Sequence, residues 1–112
     1  MTRITTHILD TSRGRPAANV RVELARLADS GAWEPVGHTV TDADGRARNL
    51  HPAPVPTGLY RLTFHTFEYA QQHNQPTFYP FVEVHFGVSA DDDHYHVPLL
   101  LNPFGYSTYR GS

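Results

Sequence analysis

Short runs of alternating apolar residues, each stopped by a turn containing Gly, Pro or Asp, constrain this chain most. Apolar side chains recur at every second position in Val20-Arg21-Val22-Glu23-Leu24, in Tyr60-Arg61-Leu62-Thr63-Phe64 and in Val82 to Val88. A period of two sends successive side chains to opposite faces of a strand, so each run offers one face to a core and one to water. Ile4 to Asp10 follows the same rule, with Ile4, Thr6 and Ile8 on one face and Thr5, His7 and Leu9 on the other. Trp33 to Val40 is a weaker strand whose Pro35 suits a sheet edge. Turns fall at Ser12 to Pro16, Asp29-Ser30-Gly31, Thr41 to Arg46 and Asp91-Asp92-Asp93; in the third, Asp44-Gly45 supplies the positive φ. Ala47 to Pro56 reads as a Pro-rich loop with a short strand near Arg48-Asn49-Leu50. Only Phe67 to His73 suits a helix, of about two turns, and Asn74-Gln75-Pro76 ends it. About seven or eight short strands with such punctuation predict an all-β antiparallel sandwich. The 112 residues fit one domain, 1–112.

Charge removes two classes of partner. Nine basic residues, all Arg, stand against eleven acidic ones, a net charge of −2. Nucleic acid and anionic membranes call for a much more basic surface. No apolar run approaches a membrane span, and Met1 to His7 has no apolar signal-peptide core, so no secretory leader is expected. The chain has no Cys, which is compatible with the cytoplasm, the expected location.

Eight histidines are the compositional oddity. His94 and His96 lie two apart in a strand-like piece and share a face. Three readings stay open at this point. With His7 or His85 they could bind zinc, although no carboxylate or Cys sits at a helpful spacing. One of them could work as a general acid or base, since an imidazole titrates near neutrality. Or each is a surface or hydrogen-bonded structural histidine, the reading kept for His38, His51, His65 and His73. Arg46, directly after a tight turn, reads locally as a solvated arginine. No P-loop, nucleophile elbow or HExxH motif is present.

The C-terminal stretch has strand-favouring Tyr106-Ser107-Thr108-Tyr109, then Arg110-Gly111-Ser112 and no polar tail. It reads either as a fraying last strand or as a terminus placed for chemistry.

Several stretches taken together carry the reading further than the residues alone. Ile4-Thr5-Thr6-His7-Ile8-Leu9-Asp10, Gly14-Arg15-Pro16-Ala17, Thr41-Asp42-Ala43-Asp44-Gly45-Arg46, His94-Tyr95-His96-Val97-Pro98-Leu99-Leu100-Leu101 and the closing Tyr109-Arg110-Gly111-Ser112 follow one another from end to end. The chain thereby resembles the 5-hydroxyisourate hydrolases, transthyretin-like enzymes of purine catabolism. The Tyr-Arg-Gly-Ser end is what separates these enzymes from transthyretin, the hormone carrier of the same fold. The resemblance implies a transthyretin-like sandwich of two four-stranded sheets with one short helix. It implies catalytic residues at His7, Arg46, His96 and Ser112, and substrate-binding residues at Tyr109, Arg110 and Gly111. It implies no metal and no cofactor, and a homotetramer built as a dimer of dimers with sites in a channel between them. Asn102 departs from the serine more usual there, in a turn away from these positions.

The implied substrate, 5-hydroxyisourate, is a planar oxidised purine. Hydrolysis at an acyl carbon opens its six-membered ring to 2-oxo-4-hydroxy-4-carboxy-5-ureidoimidazoline. A neutral histidine can deprotonate the attacking water, and a guanidinium can stabilise charge on the carbonyl oxygen. Which of His7 and His96 is the base stays open. A non-catalytic small-ligand carrier of transthyretin type is the alternative; it would lack both histidines, the arginine and the terminal tetrapeptide. A structural sandwich module is a third reading, normally found among other domains.

Overall fold

The structure, a computed structural model, describes residues 1–112. Ten strands and one helix follow in order: β1 (Arg3–Thr5), β2 (Ile8–Asp10), β3 (Arg15–Pro16), β4 (Arg21–Leu27), β5 (Trp33–Val40), β6 (Gly58–Phe64), α1 (Thr66–Gln72), β7 (Val82–Val88), β8 (His94–His96), β9 (Leu99–Asn102) and β10 (Gly105–Thr108). Two four-stranded sheets, β5-β4-β6-β7 and β10-β9-β2-β3, face each other, and a two-stranded β1-β8 pair accompanies them. The expected alternation supplies the core between them. Val22 and Leu24 of β4, Tyr60, Leu62 and Phe64 of β6, and Val82 and Val88 of β7 meet Ile4, Ile8, Leu99 and Leu101 in one cluster. Fully burying a side chain such as Leu62 or Phe64 is worth about 1.5–3 kcal/mol, and both have essentially no exposed surface.

β4, β6 and β7 pair antiparallel, as expected. Two pairings depart from a purely antiparallel sandwich: β1 runs parallel to β8, and β2 parallel to β9. Ile4 to Asp10 is also one strand in sequence but two in space, interrupted at Thr6, whose hydroxyl donates to the Val97 carbonyl. Its alternation nevertheless persists, and Ile4, Thr6, Ile8 and Asp10 are all buried. Arg48-Asn49-Leu50 forms a turn and not the short strand expected there; isolated bridges, His7 with Arg46 and Thr2 with Val55, and a bond from Ile4 N–H to the His51 ring tie this loop region to the first strand. β5 sits at an edge, as its Pro35 predicts, and β4 is irregular against it between Leu24 and Ala25. The helix begins one residue before the predicted Phe67. It buries Thr66, Tyr69 and Ala70, the i, i+3, i+4 stripe of a two-turn amphipathic helix. Asn74, at φ 51°, follows its end.

Candidate active site

The site is assembled where β1 and β8 run side by side and the Thr41–Arg46 turn folds against them. The parallel register sets Thr5 opposite His96. Backbone bonds from Val97 N–H to the Thr5 carbonyl and from Leu99 N–H to the His7 carbonyl, both 2.9 Å, lock that register. From the other side, Ile8 N–H donates to the Gly45 carbonyl at 2.8 Å and Ala47 N–H to the Thr6 carbonyl at 3.2 Å. These two bonds flank the antiparallel pair His7–Arg46, the wide-ring geometry in which opposed side chains lie closest.

The turn that delivers Arg46 is built by Asp42. Its Oδ1 accepts from the backbone N–H of Asp44 at 2.9 Å and of Arg46 at 3.0 Å. Gly45 adopts φ +74°, and a Cβ there would stand 2.5 Å from the Ile8 carbonyl oxygen; glycine alone combines that conformation with that approach. Asp42 Oδ2 is taken by Arg48 Nε at 2.6 Å. The neighbouring carboxylates Asp42 and Asp44 therefore pair with Arg48. Arg46, exposed beside them, has no ion pair and no side-chain hydrogen bond in the chain, so its guanidinium is free for an anionic guest.

His7 Nδ1 lies 2.8 Å from His96 Nε2, with ring centroids 4.9 Å apart and planes 22° apart. The other ring nitrogen of His96, Nδ1, lies 2.8 Å from Thr5 Oγ1, and the same hydroxyl lies 3.0 Å from His94 Nε2. Both nitrogens of His96 are thus engaged, whereas His7 Nε2 has no partner in the chain. Burial lowers the pKa of His7, and the Arg46 charge lowers it further. The same holds for His96, where burial leads and the nearby His7, Arg46 and His94 add to it. Both imidazoles are therefore held neutral at neutral pH.

A cavity of about 790 Å³ opens beside them, lined among others by Arg3, Thr5, Arg46, His94, His96 and Ser112. His7 stands against two of these, His96 and Arg46. The terminal segment crosses His96. Gly111 N–H donates to the His96 carbonyl at 2.8 Å, and a Cβ on Gly111 would meet His96 Cδ2 at 2.8 Å. His7, Arg46, His96, Gly111 and Ser112 thus converge. Tyr109 and Arg110 do not reach this cavity. They line a separate cleft of about 270 Å³, where the Arg110 guanidinium lies 4.3 Å above the Tyr95 ring and 3.5 Å from Asp92.

The sequence alone gives Thr5 and Asp42 no role, and gives His94 only the open zinc, acid–base and structural readings it shares with His96. Asp42 carried a signal, because an Asp opening an Asp-x-Asp-Gly turn favours side-chain capping of the turn's N–H groups. The Thr5 hydroxyl carried none, since its role exists only through the parallel register with β8. His51 matches the structural reading: its Nε2 accepts from Ile4 N–H at 3.0 Å, and its Nδ1 lies 2.7 Å from the Ala53 carbonyl. His65 pairs with Glu23. No group of three or more His, Asp or Glu side chains is placed to hold a metal ion.

The family model described as HIUase/Transthyretin family matches residues 4–111. A 5-hydroxyisourate hydrolase of Rhizobium meliloti is 43% identical, over 98% of this chain and 96% of its own length. The solved structure of Klebsiella pneumoniae 5-hydroxyisourate hydrolase superposes with a TM-score of 0.89 at 38% identity, covering 100% of both chains. Sea bream transthyretin, solved in complex with thyroxine, superposes with a TM-score of 0.91 at 33% identity, over 96% of this chain and 93% of that one.

Proposed function

The chain belongs to the HIUase/Transthyretin family, and from that premise we propose that it hydrolyses 5-hydroxyisourate, opening the six-membered ring at an acyl carbon. Backbone likeness does not choose between enzyme and carrier, since the fold is shared by a hydrolase and a thyroxine-bound transthyretin. The observation that carries the choice is the His7–His96 contact beside an unpaired Arg46.

In the proposed reaction, His7 Nε2 accepts a proton from water as the oxygen attacks the acyl carbon. The His7 Nδ1 proton is held by His96 Nε2, which fixes the tautomer that leaves Nε2 basic. Arg46 stabilises the negative charge that develops on the carbonyl oxygen. Proton return to the departing ring nitrogen completes the opening, and the product gains one water. Ser112 lines the cavity and is assigned to the substrate's polar edge; Gly111 lets the chain lie flat on His96. Tyr109 and Arg110, implied as substrate-binding, are assigned here to anchoring the terminal strand against Tyr95. These residues need no metal and no organic cofactor.

We further propose one domain over residues 1–112, a cytoplasmic location and a homotetramer. No helix is long and apolar enough to cross a membrane. Both β7 and β10 end their sheets, and Phe81, Phe104, Tyr106 and Tyr109 lie exposed on or beside them. Such edges are pairing surfaces, and closed two-fold assemblies satisfy them. Light scattering at micromolar protein should give four chains; a monomer overturns the assembly. The activity test is spectrophotometric. 5-Hydroxyisourate generated by urate oxidase should decay faster on addition of the protein, and unchanged decay overturns the hydrolase reading.

A further inference from the structure

We propose that Thr5 and His94 extend the His7–His96 pair into a four-member proton relay, with Thr5 as a positioning residue that sets the His96 tautomer and His94 as its solvent end. The inference deepens the hydrolase reading and rests on it.

The geometry is three consecutive hydrogen bonds: His7 Nδ1 to His96 Nε2 at 2.8 Å, His96 Nδ1 to Thr5 Oγ1 at 2.8 Å, and Thr5 Oγ1 to His94 Nε2 at 3.0 Å. A neutral imidazole has one N–H and one bare nitrogen, and a hydroxyl has one proton to give. The chain therefore has two consistent polarities. In the first, His7 Nδ1–H donates to His96 Nε2, His96 Nδ1–H donates to Thr5 Oγ1, and the Thr5 hydroxyl donates to His94 Nε2. That polarity leaves His7 Nε2 as a bare acceptor. In the second, every bond is reversed and His7 Nε2 carries a proton.

Attack by water converts one into the other. The water proton goes to His7 Nε2. The His7 Nδ1 proton moves to His96 Nε2, the His96 Nδ1 proton to Thr5 Oγ1, and the Thr5 proton to His94 Nε2. One proton enters, and one positive charge emerges at His94, which is exposed to water. His7 is left neutral with Nε2–H, the donor the leaving nitrogen needs. Giving up that proton runs the relay backward and discharges His94. The charge thus rests where hydration is cheapest, away from the Arg46 guanidinium that would repel it at His7. Without the Thr5 hydroxyl nothing in the chain holds the His96 Nδ1–H, and the acceptor polarity loses its anchor.

The test compares the wild type with Thr5→Val, Thr5→Ser and His94→Ala. Losing the outer hydrogen-bond partner of a metal-bound histidine costs roughly ten- to a hundredfold, and a loss of that size is the expectation for the partner of His96. Thr5→Val should show that loss in kcat with KM little changed, and Thr5→Ser should recover most of it. In His94→Ala, free imidazole should restore kcat through the exposed gap. Nitrogen-15 NMR of the histidine rings provides a readout independent of turnover: His96 should be the Nδ1–H tautomer in the wild type and in Thr5→Ser, and shift toward Nε2–H in Thr5→Val. An unchanged His96 tautomer in Thr5→Val overturns the relay even if its rate falls, and so does a wild-type kcat in either Thr5→Val or His94→Ala. A wild-type protein inactive on 5-hydroxyisourate overturns the hydrolase reading instead, and the tautomers still decide whether Thr5 sets the polarity of the pair.

Discussion

His7 Nδ1 lies 2.8 Å from His96 Nε2, and a hydrogen bond between two neutral imidazoles uses one N–H and one bare nitrogen, so neither ring can change its tautomer without the other. A single substitution therefore disables both. His7→Asn and His96→Asn should each lower kcat/KM by at least about a hundredfold, the lower range for losing a general base. The double variant should be scarcely worse than either single one, because groups acting as a unit are non-additive. Additive losses in the steady-state rates would show that the two histidines work separately.

Arg46→Gln removes the guanidinium without shortening the chain much, and the Asp42-built turn should hold its backbone in place. A loss of about a hundredfold or more is expected for removing a charge stabiliser. Asp42→Ala should also impair turnover, because it frees the turn and leaves Arg48 only the looser Asp44 contact at 3.8 Å. Circular dichroism should show both variants folded; wild-type rates in both would remove Arg46 from the site.

The pH profile follows from the directions of the histidine shifts. Burial, reinforced by Arg46, lowers both His7 and His96 below the ordinary 6.5. The base form should therefore persist below pH 6.5, and the acidic limb of kcat/KM should fall on that side. Arg46→Gln relieves part of the repulsion and should move the limb toward higher pH in whatever activity survives. The stability sign is the same. A depressed folded pKa contributes stability that is present above the unfolded value and is lost as pH falls through the folded one. A wild-type limb above pH 7 would contradict the shifts.

How much of this was legible depends on the range of the interaction. Alternation in Tyr60–Phe64 and Val82–Val88 is local, and it placed the core faces correctly. The Asp44-Gly45 turn is local too, and Gly45 has the expected positive φ. His94 and His96 share a face because they are two apart, and their rings sit 6.5 Å from each other. Contacts of His7 with Arg46 and of Thr5 with His96 are another matter. They join residues far apart in sequence through an isolated bridge and a parallel register that no local period encodes. Resemblance to a family pointed to His7, Arg46 and His96. Only the structure shows how the residues touch, and that Tyr109 and Arg110 face another cleft.

Asp10, the last residue of the first alternating run in the sequence, is a buried strut in the structure. Burial alone would raise its pKa, but hydrogen bonds from Ser12, Tyr69 and Arg13 outweigh it and lower the carboxyl below 3.8. The Tyr69 hydroxyl donates to Asp10 Oδ2 at 2.6 Å, tying α1 to β2, and burial with that bond raises Tyr69 to about 12. Tyr69→Phe leaves a buried carboxylate short of one donor and should cost about 1.5–3 kcal/mol. The loss should be greatest above the unfolded Asp pKa and shrink as acid protonates the folded carboxyl. Equal urea midpoints for the two proteins at pH 7 would show that the bond contributes nothing.

Gly111 is where the terminal segment touches the chemistry. Its backbone donates to the His96 carbonyl, and an added methyl would meet His96 Cδ2 at 2.8 Å and Pro98 Cγ at 3.1 Å. Neither neighbour can yield freely: His96 is held at both ring nitrogens, and Pro98 is a ring fixed to a buried stretch of backbone. Gly111→Ala must therefore push the segment off His96, displacing Ser112 from the cavity, or tilt the imidazole away from His7. Either movement should lower kcat by more than tenfold, since about 1 Å of misplacement is enough for a hundredfold. Melting temperature should barely change, because the strain sits at the end of the chain, outside the core cluster. Gly105→Ala is the control, as its methyl would make only ordinary contact, 3.7 Å from Asn102 Oδ1. Wild-type turnover in Gly111→Ala would show that the terminal segment does not position His96.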